Sequence, residues 1–232
     1  MKLCRFELLA EPGRSRSGFA FQGKVYETDG QQPIGIHEPG DVRLLAPVLA
    51  GSIRIFSGDS FTYLNPASAV GTGEPVLGRL DRELSCRPCL VAVIASHGRN
   101  VEVEVADDIV LGLTLGVHYF FGEGTTASDA DAGFAFGPAI STPEDLAESG
   151  HETKFGKVYG LSLSFGKGGT DPEVISSEVS FALRIAQASE TAPLRPGDLF
   201  AVPVGEALRG VQQKDEIHFT SETLGALRNW IQ

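Results

Sequence analysis

The chain has little that would cross-link it or charge it positively. Three cysteines among 232 residues are too few for a disulfide framework and fit a reducing compartment. Lysine and arginine number 19 against 30 acidic residues, a net charge of -11. A negative field disfavours nonspecific attraction to nucleic acid or to an anionic membrane. It leaves room for a small anionic ligand, because one arginine in a pocket outweighs distant, screened charges. No apolar run nears the roughly 20 residues that span a bilayer. The opening "MKLCRFELLAEPGRSRSG" has no continuous apolar stretch ahead of a small-residue cleavage site, so no secretory signal is expected. These absences predict a cytoplasmic protein with neither nucleic-acid nor membrane partners.

Familiar catalytic signatures are missing too. The five histidines, 37, 97, 118, 151 and 218, form no His-x-His or His-Glu-x-x-His pair, and there is no Gly-x-Ser-x-Gly elbow. "GTGEP", "FGKGG" and "GEGTT" lack the strand, the Lys-Ser/Thr and the helix of a phosphate loop. "GEGTTASDADAG", residues 122–133, has no closing glutamate of a calcium loop and reads as a solvated acidic loop.

What is present is β structure. The 28 glycines and 13 prolines imply many turns. Residues 1–48 read as a small β-rich domain: "CRFELLA", "SGFAFQGKVYET" and "VRLLAPV" are short apolar or alternating runs separated by "EPGRSRSG", "DGQQP" and "HEPGD". Residues 49–232 read as a larger domain, mixed but mostly β. "CLVAVIA" is a β-branched strand, and "SHGRN" a hairpin-like turn into "VEVEV". A short helix is expected near 105–111 and a strand near 113–121. "YGLSLSFGKG" places Leu161, Leu163 and Phe165 on one strand face. "SSEVSFALRIAQA" spaces Val179, Leu183 and Ile185 or Ala186 as a helix would. "DLFAVPVGEA", "DEIHFTSE" and "LGALRNWIQ" complete the strand set.

Cys86 and Cys89 form a Cys-x-x-Cys in "SCRPCLVAVI". A redox pair needs both sulfurs on one helical turn, where a helix N-terminus stabilises the thiolate. Here Pro88 and the β-branched run favour an extended chain. Alternation then sends the two cysteines to opposite faces and puts Arg87 beside Cys89 on one of them. The bland reading of Cys89 is a small buried hydrophobe. For His118, within "LTLGVHYFF", it is a satisfied core histidine.

Five segments taken in order resemble the fumarylacetoacetate hydrolase family. They are "YLNPASAVGTGEPV" (63–76), "CLVAVIASHGRNVEVEVADDIVLGLTLGVH" (89–118), "GFAFGPAISTPEDL" (133–146), "LRPGDLFAVPVGEALRG" (194–210) and "DEIHFTSETLGALRN" (215–229). The resemblance implies a mixed β-roll, often a homodimer, with the small N-terminal β-rich domain as an accessory unit. Family enzymes hydrolyse or decarboxylate small oxo-acids at magnesium or a similar ion held by a Glu-x-Glu pair and an Asp. Hard oxygen ligands suit such a cation, which polarises the substrate's oxygens.

Carried over by position, the resemblance puts the three metal carboxylates at Arg87, Cys89 and His118. A guanidinium cannot ligate a cation, and a thiolate is a poor magnesium ligand, so no metal and no other cofactor is expected. The family's lid would fall between "SIRIFSGD" and "FTYLNP", where the chain is too short to hold it. The catalytic lysine falls near Ser128. Asp131 retains an acidic position, and the Arg-Asp after the metal Asp falls near Gly122 and Glu123.

Three functions stay open on these residues. One is a magnesium-independent enzyme acting on a small oxo-acid or enolisable carbonyl compound, as an isomerase, cyclase, decarboxylase or lyase. In it Arg87 replaces the ion's charge, His118 moves a proton, Cys89 packs beside it or acts as a second acid/base, and Asp131 assists. Arg87, Tyr119, Glu123 and Ser128 would bind the substrate. The second is a noncatalytic binding or partner subunit. The third is a zinc-type hydrolase using Cys89 and His118 with further ligands, since two fall short of the three or four zinc requires.

Overall fold

The computed structural model describes residues 1–58, 60–78, 81–154 and 156–232. Among them the chain builds two sheets. The larger runs in the order Pro33–His37, Lys24–Thr28, Glu11–Phe21, Lys2–Leu8, Gly133–Ser141, Val110–Phe121, Leu84–Ile94, Leu199–Pro203, Ile53–Ser57, Ser60–Leu64. The smaller is built on Gly156–Lys167, flanked by Glu173–Ser180 and Glu216–Ser221, and continues into Gly225–Ile231. This is the mixed, mostly β roll expected from the sequence.

The Leu84–Ile94 strand lies at the centre, and its apolar run is continuous because both faces are covered. Cys86, Leu90, Ala92 and Ile94 join the main core with Leu161, Leu163, Phe165 and Phe219 of the smaller sheet. Cys89, Val91 and Val93 join a second cluster with Ile53, Phe134, Phe136 and Leu199. Fully burying one Leu or Phe contributes roughly 1.5–3 kcal/mol, so this strand is firmly anchored.

Pro88 sits inside it, where a central strand should not tolerate proline. Its carbonyl accepts from the Val204 amide, just past the point where pairing to Leu199–Pro203 ends, at Cys89 opposite Pro203. The missing N–H therefore faces the end of a neighbouring ladder, and no ladder bond is lost.

Two tight hairpins follow from local chemistry. Phe21 pairs with Lys24, and the two residues between them, Gln22 and Gly23, have φ of 47° and 76°, as a two-residue turn matched to strand twist requires. Ser57 pairs with Ser60, so only two residues connect those strands where the family resemblance would place a lid.

Two expectations shift. Strand pairing runs through Ser180, with Ile175, Ser177 and Val179 alternately buried, and the helix is Ala182–Thr191. The helical spacing thus holds only beyond Phe181, because the stretch before it gains a full ladder with Gly156–Lys167. "VEVEV" leads into a 3-10 helix, Val103–Ile109, and the next strand opens at Val110, a few residues earlier than the sequence suggests.

Candidate functional site

Residues Leu84–Ile94 and Val110–Phe121 pair antiparallel, with Arg87 opposite His118 and Cys89 opposite Gly116. Directly opposed residues share a face, so the register places Arg87, Cys89 and His118 together. Cys86 and Tyr119 are opposed on the other face. That separation of Cys86 from Cys89 is what alternation requires, and it leaves no dithiol.

Arg87 and His118 both line a cavity of about 200 Å³. The Ile53–Ser57 and Ser60–Leu64 hairpin forms one wall through Ile55, Thr62 and Leu64, and Glu123 and Gly124 stand on another side. The Arg87 guanidinium lies 5.6 Å from the Phe120 ring centroid. Its Nε is buried without a hydrogen-bond partner. No carboxylate among the described residues lies within ion-pair distance of Arg87.

His118 is 8% exposed, and its Nε2 lies 2.5 Å from the carbonyl oxygen of Ala130. A carbonyl only accepts, so Nε2 carries the proton and Nδ1 is the basic nitrogen. Burial pushes the imidazole below its ordinary pKa, and the Arg87 charge adds to this against the opposing pull of the Ala130 carbonyl. Lowered from its ordinary value, the imidazole is neutral at physiological pH.

Cys89 is fully buried under Arg87, with Sγ 3.7 Å from the Arg87 carbonyl oxygen. Burial pushes its thiol up to about 12, although the Arg87 charge and the His118 amide both favour the thiolate. It packs as a thiol and does not line the cavity.

The remaining candidates separate by location. Glu123 lines the cavity, and both of its oxygens are engaged by Arg209, one at 3.0 Å. Asp131 accepts from the Asn65 amide at 3.0 Å and from Ser68 Oγ at 3.5 Å. That carboxylate pins a loop, though its charge reaches His118. Ser128 is exposed and shares a 3.1 Å hydrogen bond with Thr126. Tyr119 is fully buried in the main core, its hydroxyl unpartnered, on the face away from Arg87. The geometry therefore assembles Arg87 and His118, with Glu123 at the side, and leaves Tyr119 and Ser128 apart.

Arg209 and the hairpin wall were not singled out from the sequence. Arg209 is 86 residues from Glu123, and no spacing rule links them. Phe120 was accessible to reasoning, because alternation places it on the His118 face.

The donor set does not fit a divalent ion. A guanidinium repels it, the Cys89 thiol is held protonated, and Nε2 of His118 is committed to Ala130. Among the described residues, no group of three or more His, Cys, Asp or Glu could hold a metal ion. Among the described residues Cys89 and His118 find no third or fourth ligand, short of what the zinc alternative requires.

Residues 56–232 match the model of the fumarylacetoacetate (FAA) hydrolase C-terminal family, and the chain belongs to that family. Solved structures agree across the whole length. The 5-carboxymethyl-2-hydroxymuconate delta-isomerase from Mycobacterium smegmatis is 19% identical with a TM-score of 0.80, covering 100% of this chain and 99% of that one. The 2-hydroxyhepta-2,4-diene-1,7-dioate isomerase from Mycobacterium marinum is 21% identical with a TM-score of 0.81, covering 100% and 98%. Maleylpyruvate hydrolase from Sphingobium sp. SYK-6 is 17% identical with a TM-score of 0.80, covering 100% and 99%. At such identities the likeness is one of fold. No curated protein sequence matches the chain.

Proposed function

We propose that the protein is a magnesium-independent enzyme that enolises a small oxo-acid in the cavity shared by Arg87 and His118. The observation that carries this is a cationic side chain that, among the described residues, has no carboxylate within ion-pair distance and faces a neutral imidazole across one strand pair. Removing a proton beside a carbonyl needs a base that is unprotonated at the working pH and a fixed positive charge for the enolate oxygen. His118 Nδ1 takes the proton from the carbon beside the carbonyl. The electron pair of that C–H bond moves to form the C=C bond of the enolate, and the carbonyl oxygen takes the negative charge, held by Arg87 N–H donors. Returning the proton to a different carbon of a conjugated enolate gives an isomerase. In a β-oxo acid the C–C bond to the carboxylate breaks instead of the C–H bond, its electron pair forms the enolate as CO₂ leaves, and a proton is then added to that carbon, giving a decarboxylase. Cyclase and lyase outcomes start from the same enolate.

The size of the cavity supports a small substrate. Drug-sized ligands occupy roughly 300–1,000 Å³, and about 200 Å³ suits a molecule nearer pyruvate. Two of the similar structures are of isomerases acting on unsaturated acids, which is chemistry of this class. The reading takes residues 1–48 as an accessory domain beside 49–232, and the protein as a cytoplasmic homodimer. Sedimentation checks the last point.

The test is proton exchange into pyruvate in D₂O, followed by NMR. Deuterium entering the methyl group faster with protein than without it is the expected result. Pyruvate binding without exchange would leave the noncatalytic reading, and absence of both would remove the anion site.

A further inference from the structure

We propose that Arg209 is a positioning residue that holds Glu123 away from Arg87 and so keeps the Arg87 guanidinium open to an anionic substrate. This rests on reading the cavity as an anion site. Glu123 and Arg87 line the same cavity, yet they form no ion pair. The fork of Arg209 takes both Glu123 oxygens, Nη1 to Oε1 and Nη2 to Oε2. A bidentate grip fixes the direction of a carboxylate as well as its charge.

Glu123 sits on a turn between Gly122 and Gly124, whose φ values are 54° and 64°, a backbone region that glycine enters without steric cost, and its side chain is largely exposed. Arg209 is better anchored: its strand, Leu208–Val211, pairs with the strand that carries Arg87, at Leu84 opposite Val211 and Cys86 opposite Leu208. A residue on a paired strand therefore grips one whose exposed side chain projects from a turn. The Arg87 charge already reaches Glu123 and lowers its pKa after the larger effect of Arg209. Without Arg209, Glu123 becomes an internal competitor for the cation a substrate would use. Glu83 and Glu206 also face Arg209 electrostatically, so its loss would leave the rim more negative as well.

A double-variant design separates competition by Glu123 from this general rim effect. The probe is pyruvate, titrated calorimetrically into wild-type protein, Arg209→Ala and Arg209→Ala/Glu123→Gln. Arg209→Ala is expected to weaken binding about fivefold, the scale of one exposed ion pair. The double variant should return to within about twofold of wild type, since the amide carries no charge to compete with the substrate. The Arg209 and Glu123 side chains are 55% and 65% exposed, so both variants should fold, and thermal melting checks this. Unchanged affinity in Arg209→Ala overturns the proposal. So does a double variant as weak as the single one, which would assign the effect to rim charge. Wild-type protein that binds no pyruvate would remove the anion-site reading and this proposal with it.

Discussion

Two arginines on strands of one sheet meet different surroundings. Arg54, on Ile53–Ser57, is 2% exposed. Its Nη1 lies 3.2 Å from Asp198 Oδ2, and its guanidinium stands 5.0–5.9 Å from the ring centroids of Phe61, Tyr63 and Phe200. Asp198 is held in turn by Ser52 Oγ at 2.8 Å and the Arg195 amide at 2.9 Å. Arg87, two strands away, lies over the Phe120 ring beside a cavity, and among the described residues no carboxylate comes within ion-pair distance of it. Each has a buried, unpartnered Nε, so that feature does not distinguish them. The paired arginine closes a structural network, whereas Arg87 faces a cavity.

The comparison breaks most visibly at Asp198. Replacing it with alanine leaves a buried cation unpaired, which costs about 3–5 kcal/mol. Urea unfolding should show that loss, and a cost below about 1 kcal/mol would mean that the Arg54 pair is not structural.

His118→Gln tests the neighbouring site. Pyruvate exchange should fall at least about a hundredfold, as expected for losing a general base, with pyruvate affinity much less affected. An exchange rate that survives would assign the base elsewhere. The wild-type pH profile sharpens this. Because the imidazole pKa is lowered, exchange should stay flat as pH falls through about 6.5, the ordinary histidine value, and drop only below it. Stability has a matching sign. Below about pH 6.5 the unfolded chain takes a proton that native His118 refuses, so stability falls from there down to the native pKa. His118→Gln should remove that component.

Arg87→Met keeps the aliphatic bulk and removes the charge. Pyruvate affinity should fall about thirtyfold, while unfolding free energy should change by less than about 1 kcal/mol, unlike the Asp198 variant. A large stability loss would show that Arg87 is structural after all.

The smallest expected effect concerns the thiols. Burial pushes Cys4 up to about 11 and Cys89 up to about 12, and raises Cys86 as well. Native protein should therefore resist iodoacetamide at about pH 8, and all three thiols should react after denaturation. Rapid native labelling of Cys89 would reopen it as a catalytic group.

Much of the fold was legible because it rests on short-range rules. Alternation in "YGLSLSFGKG" and "SCRPCLVAVI" gave strands and faces, and a pleat has a period of two wherever it sits. The misread stretch at 176–180 fitted helical spacing, but pairing with Gly156–Lys167 decided its state, and strand propensity depends on such partners. Asp131 and Tyr119 show the same limit at the site. Their positions near His118 in the sequence were plain. Asp131 ties down the Asn65–Ser68 loop, and Tyr119 turns into the core with Cys86.

The sequence by itself determined which chemistry was absent. Arg87, Cys89 and His118 stand where the resemblance puts the family's three metal carboxylates, and none of them supplies a hard carboxylate oxygen, because residue identity alone sets what a side chain can donate or accept. Only the tertiary structure decided that Arg87 has no carboxylate within ion-pair distance among the described residues, that His118 Nε2 meets the Ala130 carbonyl, and that Arg209 engages both Glu123 oxygens. Pairing, burial and cavity shape arise from segments far apart in the chain, whose distances no local pattern encodes.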